Sequence, residues 1–189
     1  MTFLKVLMTS CAVIISGTVA TAQERPYCDQ YFYGIIDQDT VGEFIDKVLL
    51  AECDAGAQLR IYISSGGGDP QAAMGLYDWL QLREADTVAM GDVASAAVPL
   101  FLAGKVRTAL PNARFLIHPG YAYLEGKYTD RDDDEREAID DWDDELYNQI
   151  IAERTGLERS KVNAMVDPFT VFGVDQATEW GFISPASSN

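Results

Sequence analysis

Three sets of residues in this 189-residue chain could do chemistry, and the first is Ser95. It stands inside Thr87–Gly104, TVAMGDVASAAVPLFLAG, where a β-branched run at Thr87–Met90 is broken by Gly91-Asp92 and the small and apolar residues after Ser95 run to Gly104. This pattern predicts a buried strand, a turn and a buried helix with a glycine C-cap. With Ser95 as N-cap, Pro99 falls in the first turn, where no intrahelical hydrogen bond is lost. A serine there is either a capping residue or a nucleophile beside free N–H groups, and on these residues alone both readings stand. The second is His118, the one histidine, at the end of the predicted strand Arg114–Ile117 and ahead of Pro119-Gly120. Any imidazole chemistry must use it. The third is Ser65-Gly66-Gly67-Gly68-Asp69-Pro70, between the predicted strand Leu59–Ser64 and the predicted helix Gln71–Gln81. Such a turn lets backbone approach a ligand and leaves N–H groups pointing outward. It lacks the Gly-Lys-Ser/Thr of a nucleotide-gripping loop and any Gly-x-Gly-x-x-Gly fingerprint.

The elements that must position these residues alternate between strand and helix. Tyr31–Ile36 predicts a first strand. Thr40-Val41-Gly42-Glu43 has the form of a capping box, and Val41, Phe44, Ile45, Val48 and Leu49 recur at helical spacing to about Glu52. Val106–Leu110 reads as extended, with Pro111-Asn112-Ala113 as the turn into Arg114–Ile117. From Asp130 to Asp144 there are ten acids and two arginines, and Ile139, Trp142, Leu146 and Ile150 predict a long helix that buries a narrow stripe in its later half. The acidic run lacks the glycine and the Asp-x-Asp-x-Asp-Gly pattern of a calcium loop, so no metal is expected. Gly156 ends that helix. Glu158–Met165 predicts a short helix, Asp167–Thr170 an extended link, Val174–Trp180 a helix stopped by Gly181, and Phe182-Ile183 a last strand.

Residues 1–22 have the layout of a secretory signal: Lys5, an apolar core from Val6 to Val19, and the small triplet Ala20-Thr21-Ala22. The expectation is one domain over residues 23–189, exported to a periplasmic or extracellular space, with a disordered Ser-rich tail after Pro185. Loss of the signal, which carries no acid, takes the formal charge from −16 to −17. Such a charge repels nucleic acid and anionic membrane surfaces, so neither is expected as a partner. Cys28 and Cys53 remain after cleavage and are a candidate disulfide in an oxidising compartment, with two buried thiols as the alternative.

With these residues placed in order, the chain resembles the Clp protease proteolytic subunit family of the Clp/crotonase superfamily. The family's strand, Ser-Pro-Gly-Gly turn and helix with Tyr-Asp are similar to IYISSGGGDPQAAMGLYDWL, including Tyr77-Asp78. Its Gly-x-Ala-Ala-Ser-Met-Gly-Ala segment resembles Gly91–Val98, and its Leu-Pro-Asn-Ser-Arg followed by Ile-His resembles Leu110–Arg114 and Ile117-His118. Asp167-Pro168-Phe169 and Ala177–Phe182 resemble the family's Asp-x-Phe link and its C-terminal Ala-x-x-(Tyr/Trp)-Gly-Leu, two residues further apart. Gly66 stands where the family has proline, and Ala96-Ala97 where it has Met-Gly.

The resemblance implies an α/β fold, a Clp/crotonase-like spiral of β-β-α units with a long protruding helix. It implies a serine peptidase with Ser95 as nucleophile, His118 as base, Asp167 holding the imidazole and the N–H groups of Gly68 and Ala96 as oxyanion donors, with no cofactor. Asp175 is the second candidate for the acid. A signal peptide separates the chain from the ATP-driven unfoldase the family serves, so peptides or unfolded proteins are the expected substrates and a homo-oligomer the expected assembly. The alternative is a non-catalytic scaffold that binds peptides through the same cleft. A serine/lysine hydrolase would need a base near Ser95, and Lys105 is the nearest lysine in sequence. A crotonase-type acyl-CoA enzyme fits poorly with an acidic surface.

Overall fold

A computed structural model of the chain describes residues 25–53, 56–119 and 133–185, and of 133–142 the backbone alone. The expected signal segment, residues 1–22, and the tail after Pro185 lie outside the described residues.

Among the described residues six strands form one sheet. Its order is β1 (Tyr27–Tyr33), β2 (Gln58–Ser65), β3 (Asp86–Ala94), β5 (Arg114–Ile117) and β6 (Thr170–Gly173), with β4 (Arg107–Ala109) also paired to β3. The strands from β1 to β5 pair in parallel, and β6 is antiparallel to β5. Parallel pairing requires crossovers, supplied by α1 (Gln38–Leu50), α2 (Pro70–Leu82) and α3 (Ala97–Leu102). β3 divides its partners: Thr87–Ala89 lie beside β4, and Asp92–Ala94 beside β5. The strand therefore does not stop at Gly91-Asp92 as the pattern suggested. Gly91, at φ 72°, absorbs an irregularity in the pairing between Ile63 and Ser65, and the chain runs on to Ala94.

Other boundaries move for local reasons. β1 begins at Tyr27 and ends at Tyr33, leaving Ile36 as an isolated bridge to Gly68. The cap of α1 is Asp37, not Thr40: the Asp37 carboxylate accepts from the Thr40 N–H at 2.8 Å, and Thr40 Oγ1 accepts from the Asp37 N–H at 3.0 Å. Thr40 thus fills the third helical position of the box. In α2, Asp69 is the cap and Pro70 the first residue. Gly104 is not a left-handed C-cap; α3 ends at Leu102 with Ala103 as its C-cap, and the glycine supplies room, since a Cβ there would run into Thr87. Thr87 uses that room to donate to the Phe101 carbonyl at 2.7 Å. Phe182-Ile183 forms no strand: Phe182 is fully buried against Phe172 and Phe115, at ring separations of 4.9 and 6.1 Å. The strand in this region is β6, which the alternation of Thr170–Gly173 is too short to announce.

α3 is buried along its whole length and forms the centre of the core. The long helix α4 (Asp133–Thr155) buries Ile150 and Ile151, and α5 (Arg159–Val166) buries Val162, Met165 and Val166. Two arginines tie the helix ends together. Arg107 donates to the carbonyls of Phe182, Gly181, Arg154 and Gly104, and Arg154 to those of Leu102 and Gly104. The acceptors lie at or just past the C-terminal ends of α3, α4 and α6 (Val174–Glu179), where unpaired carbonyls concentrate negative potential. Burial, and then the charge of Arg154, hold the Arg107 guanidinium below its ordinary pKa.

Cys28 and Cys53 are joined as a disulfide, with their Cα atoms 5.6 Å apart. The bond ties the start of β1 to the segment after α1. A loop of this length stabilises by roughly 3 kcal/mol in the chain-entropy account.

Candidate active site

The site is assembled at the carboxyl ends of parallel strands, where backbone from successive crossovers converges. Ser95 is the first residue past β3. Its φ of 54° lies in the left-handed region, an uncommon conformation for a side-chain-bearing residue and a feature of strand-to-helix turns that carry nucleophiles in other hydrolases. The N-cap of α3 is Ala96, so Ser95 does not serve as the cap expected from sequence. The Ser95 backbone is held on both sides: its N–H donates to the Leu116 carbonyl at 2.9 Å, and its carbonyl accepts from Val98 at 2.9 Å. Its hydroxyl forms no hydrogen bond among the described residues, and the residue is partly exposed.

The glycine turn lies directly on this serine. A Cβ on Gly67 would stand 2.7 Å from Ser95 Cβ, 2.8 Å from the Ala94 carbonyl and 3.0 Å from the Ala96 nitrogen. Gly67 also has φ 95°, and its N–H is taken by Ser65 Oγ at 3.1 Å. Gly68, at φ 149°, lies under the Ile36 carbonyl so closely that a Cβ would overlap it. Ile36 grips the turn with two bonds: its N–H donates to Gly67 O at 2.9 Å, and its carbonyl accepts from Asp69 N–H at 2.8 Å. Among the described residues the amides of Gly68 and Ala96 donate to no acceptor. Both remain available to an anionic oxygen.

His118 follows Ile117 on β5, the strand paired to the end of β3 through Ala94 and Leu116. The register therefore sets Ser95 and His118 at the same end of adjacent strands. Imidazole Nδ1 lies 2.6 Å from the Pro119 carbonyl. A carbonyl can only accept, so this contact puts the proton on Nδ1 and leaves Nε2 as the basic nitrogen.

Asp167 closes α5, is exposed, and precedes Pro168 through a cis peptide bond. Three residues on, Thr170 pairs with Ile117, so the Asp167 link enters the sheet at the end where His118 leaves it. Asp175 belongs to the other end: Gly173 pairs with Arg114, and Asp175 lines a shallow cavity with Pro111 and Gln176. With about 3.4 Å of rise per strand residue, the Arg114 end is roughly 10 Å from Ile117.

Two residues outside the expected set shape the site. Gly67 and Ile36 make no appeal to chemistry by type, and the sole sequence signal for Gly67 is that one steric need does not account for three consecutive glycines. α4 also reaches the start of α2, where Gln71 donates to Asp143 at 2.5 Å. Further along α4, the Tyr147 hydroxyl and Asn148 Oδ1 are buried with no hydrogen-bond partner among the described residues. Burial, and then the charge of Asp144, hold the Tyr147 phenol protonated far above its ordinary range. Among the described residues no group of three or more His, Cys, Asp or Glu side chains could hold a metal ion.

A Clp protease family model matches residues 30–187. The chain belongs to the Clp protease family. This Clp protease is 32% identical over 158 residues to the ATP-dependent Clp protease proteolytic subunit 2 of Frankia casuarinae, covering 80% of this chain and 72% of that protein. It is 30% identical over 154 residues to a proteolytic subunit 2 of Corynebacterium jeikeium, covering 78% of this chain and 73% of the relative. Its structure is similar to that of a mutant of ClpP1 from Listeria monocytogenes, with a TM-score of 0.71 and 25% identity over 82% of this chain and 88% of that one. The α/β architecture described above is thus a Clp/crotonase-like fold, and family membership supports a peptidase function in general terms.

Proposed function

We propose that this Clp protease is an exported serine peptidase that hydrolyses peptide bonds through Ser95, His118 and Asp167. The observation that carries the reading is the contact between Gly67 and Ser95, which sets a hydroxyl with no hydrogen bond among the described residues beside two unused amides. In this mechanism Nε2 of His118 takes the Ser95 proton as Oγ attacks the substrate carbonyl, and returns it to the leaving amine. The Gly68 and Ala96 amides receive the developing oxyanion, at about 3 kcal/mol of transition-state stabilisation per donor. Asp167 swings onto Nδ1 in place of the Pro119 carbonyl when substrate orders the site. Water then attacks the acyl-enzyme carbonyl as it gives a proton to Nε2, and His118 returns that proton to Ser95 Oγ as the ester bond breaks.

Export is supported by the layout of residues 1–22 and by the Cys28–Cys53 bond, a pairing that belongs to oxidising compartments. No ATP-driven unfoldase accompanies the protein there, so unstructured peptides are the substrates. The relatives are named as subunits, and large apolar side chains such as Leu50 and Leu82 stand 82% exposed, which supports a homo-oligomer. Purified mature protein should cleave an unstructured peptide without ATP and take up a serine-directed phosphonate on Ser95. Failure of both sinks the reading. The contact between His118 Nδ1 and Pro119 favours a second reading, a peptide-binding scaffold without turnover. It predicts peptide binding that is unchanged in Ser95→Ala and no cleavage by either form.

A further inference from the structure

We propose that the Cys28–Cys53 disulfide is a redox control on the oxyanion turn, acting through β1 and Ile36. The proposal rests on the peptidase reading for its effect on turnover, and on geometry alone for its effect on the turn. The route is continuous. Cys28 lies in β1, which among the described residues is an edge strand paired to β2 alone. Past the strand's end Ile36 holds Gly67 and Asp69 through its two backbone bonds and packs on Gly68, while Gly67 packs on Ser95. Directly after Ile36 the chain enters α1, and three residues beyond its end Cys53 returns to Cys28. The β1–α1 unit is thus a covalently closed loop with the site's clamp inside it.

Without the bond the C-terminal end of α1 is lightly held. α1 buries Val41, Phe44 and Val48, with Phe44 edge-on to Phe32 at 5.2 Å, whereas Leu49 and Leu50 at its C-terminal end are exposed. Edge strands and lightly buried helices are the parts of a fold that open first. Cys28 is buried but Cys53 is exposed, so a reductant reaches the bond at the Cys53 sulfur. A dithiol thiolate attacks Cys53 Sγ and expels the Cys28 thiolate. The second thiol of the reductant then resolves the mixed disulfide, closing to a cyclic disulfide and releasing Cys53. Two electrons and two protons pass to the protein. Reduction loosens Ile36, the Gly68 amide loses its fixed direction, and turnover falls. Oxidation after export restores both.

The test compares oxidised mature protein with the same protein held in excess dithiothreitol, with amide exchange, peptide turnover and far-ultraviolet circular dichroism followed together. The expected result is exchange faster by about tenfold or more at the Ile36 and Asp69 amides and unchanged at Val88 and Ala89. Turnover should fall in kcat, toward the roughly 100-fold expected for one lost oxyanion donor, with KM little moved and activity recovered on reoxidation. Cys28→Ser/Cys53→Ser should match the reduced protein and ignore the reductant. Unchanged exchange at Ile36 and Asp69 overturns the proposal. So does faster exchange throughout the sheet with loss of the dichroism signal, because the bond is then a general staple. If oxidised protein shows no turnover, the peptidase reading fails, and the exchange at Ile36 and Asp69 still decides the control of the turn.

Discussion

Gly67 and Ser95 touch so closely that a methyl group on the glycine would stand 2.7 Å from the serine Cβ. Each also holds a left-handed backbone, at φ 95° and 54°. The turn that offers amides and the turn that offers the hydroxyl are therefore one packed unit. Gly67→Ala should lower kcat/KM by about 100-fold or more and cost about 2–3 kcal/mol of stability, from strain and overpacking together. Gly66→Ala, with open space around the new methyl, should stay within about 0.5 kcal/mol of the parent. Peptidase kinetics and urea titration of the two variants check the pair.

Asp167 and Asp175 lie at opposite ends of β5, and their variants should separate. Asp167→Asn should lower kcat by about 10⁴-fold, the loss seen when a triad acid no longer fixes the imidazole tautomer. Asp175→Asn should leave kcat within about threefold. Steady-state kinetics on one unstructured peptide distinguishes them, and equal losses would remove Asp167 from the mechanism.

Arg107 supports the core and not the chemistry. Its guanidinium gathers four carbonyls, from the ends of α3 and α4 and the segment after α6. Arg107→Met takes a donor from each of those carbonyls, of which Gly104 keeps its bond from Arg154, and should destabilise by about 3 kcal/mol or more. Arg107→Lys should recover little of this, because one ammonium cannot span the fork. Chemical denaturation gives both values.

Tyr147 carries a buried hydroxyl without a hydrogen-bond partner among the described residues, so Tyr147→Phe should be neutral or stabilising by about 1 kcal/mol. Its phenol keeps its proton in the fold well above the pH at which an unfolded tyrosine ionises. The folded state therefore binds more protons than the unfolded one in alkali, and stability is full below about pH 10 and falls as pH rises beyond it. The variant should lose less stability than the parent between pH 9 and pH 11 (about one unit either side of that value). Thermal melts across that range measure the difference.

The sequence announced what depends on local pattern. Arg114–Ile117 is the strand predicted, and the helix after the glycine turn differs by one residue at each end, because Asp69 caps it and Pro70 can open it. Positions fixed by tertiary contact were not legible. Gly104 looks like a helix stop, yet its absent side chain makes room for Thr87, which is distant in sequence. Phe182-Ile183 has strand-forming residues, but the aromatic cluster takes Phe182 into the core and β6 takes the place on the sheet. Ser95 and His118 could be named from type and position. That Gly67 is built onto the serine and Gly68 onto Ile36, and that Ile36 holds both, needed the bridge between β1's extension and the turn.

The most direct test of the nucleophile is mass spectrometry of mature protein treated with a fluorophosphonate. One phosphonyl group per chain, carried on the Ser95 peptide and lost in both Ser95→Ala and His118→Ala, is the predicted result. An unlabelled Ser95 in folded protein, or labelling that His118→Ala leaves at the parent rate, would contradict it.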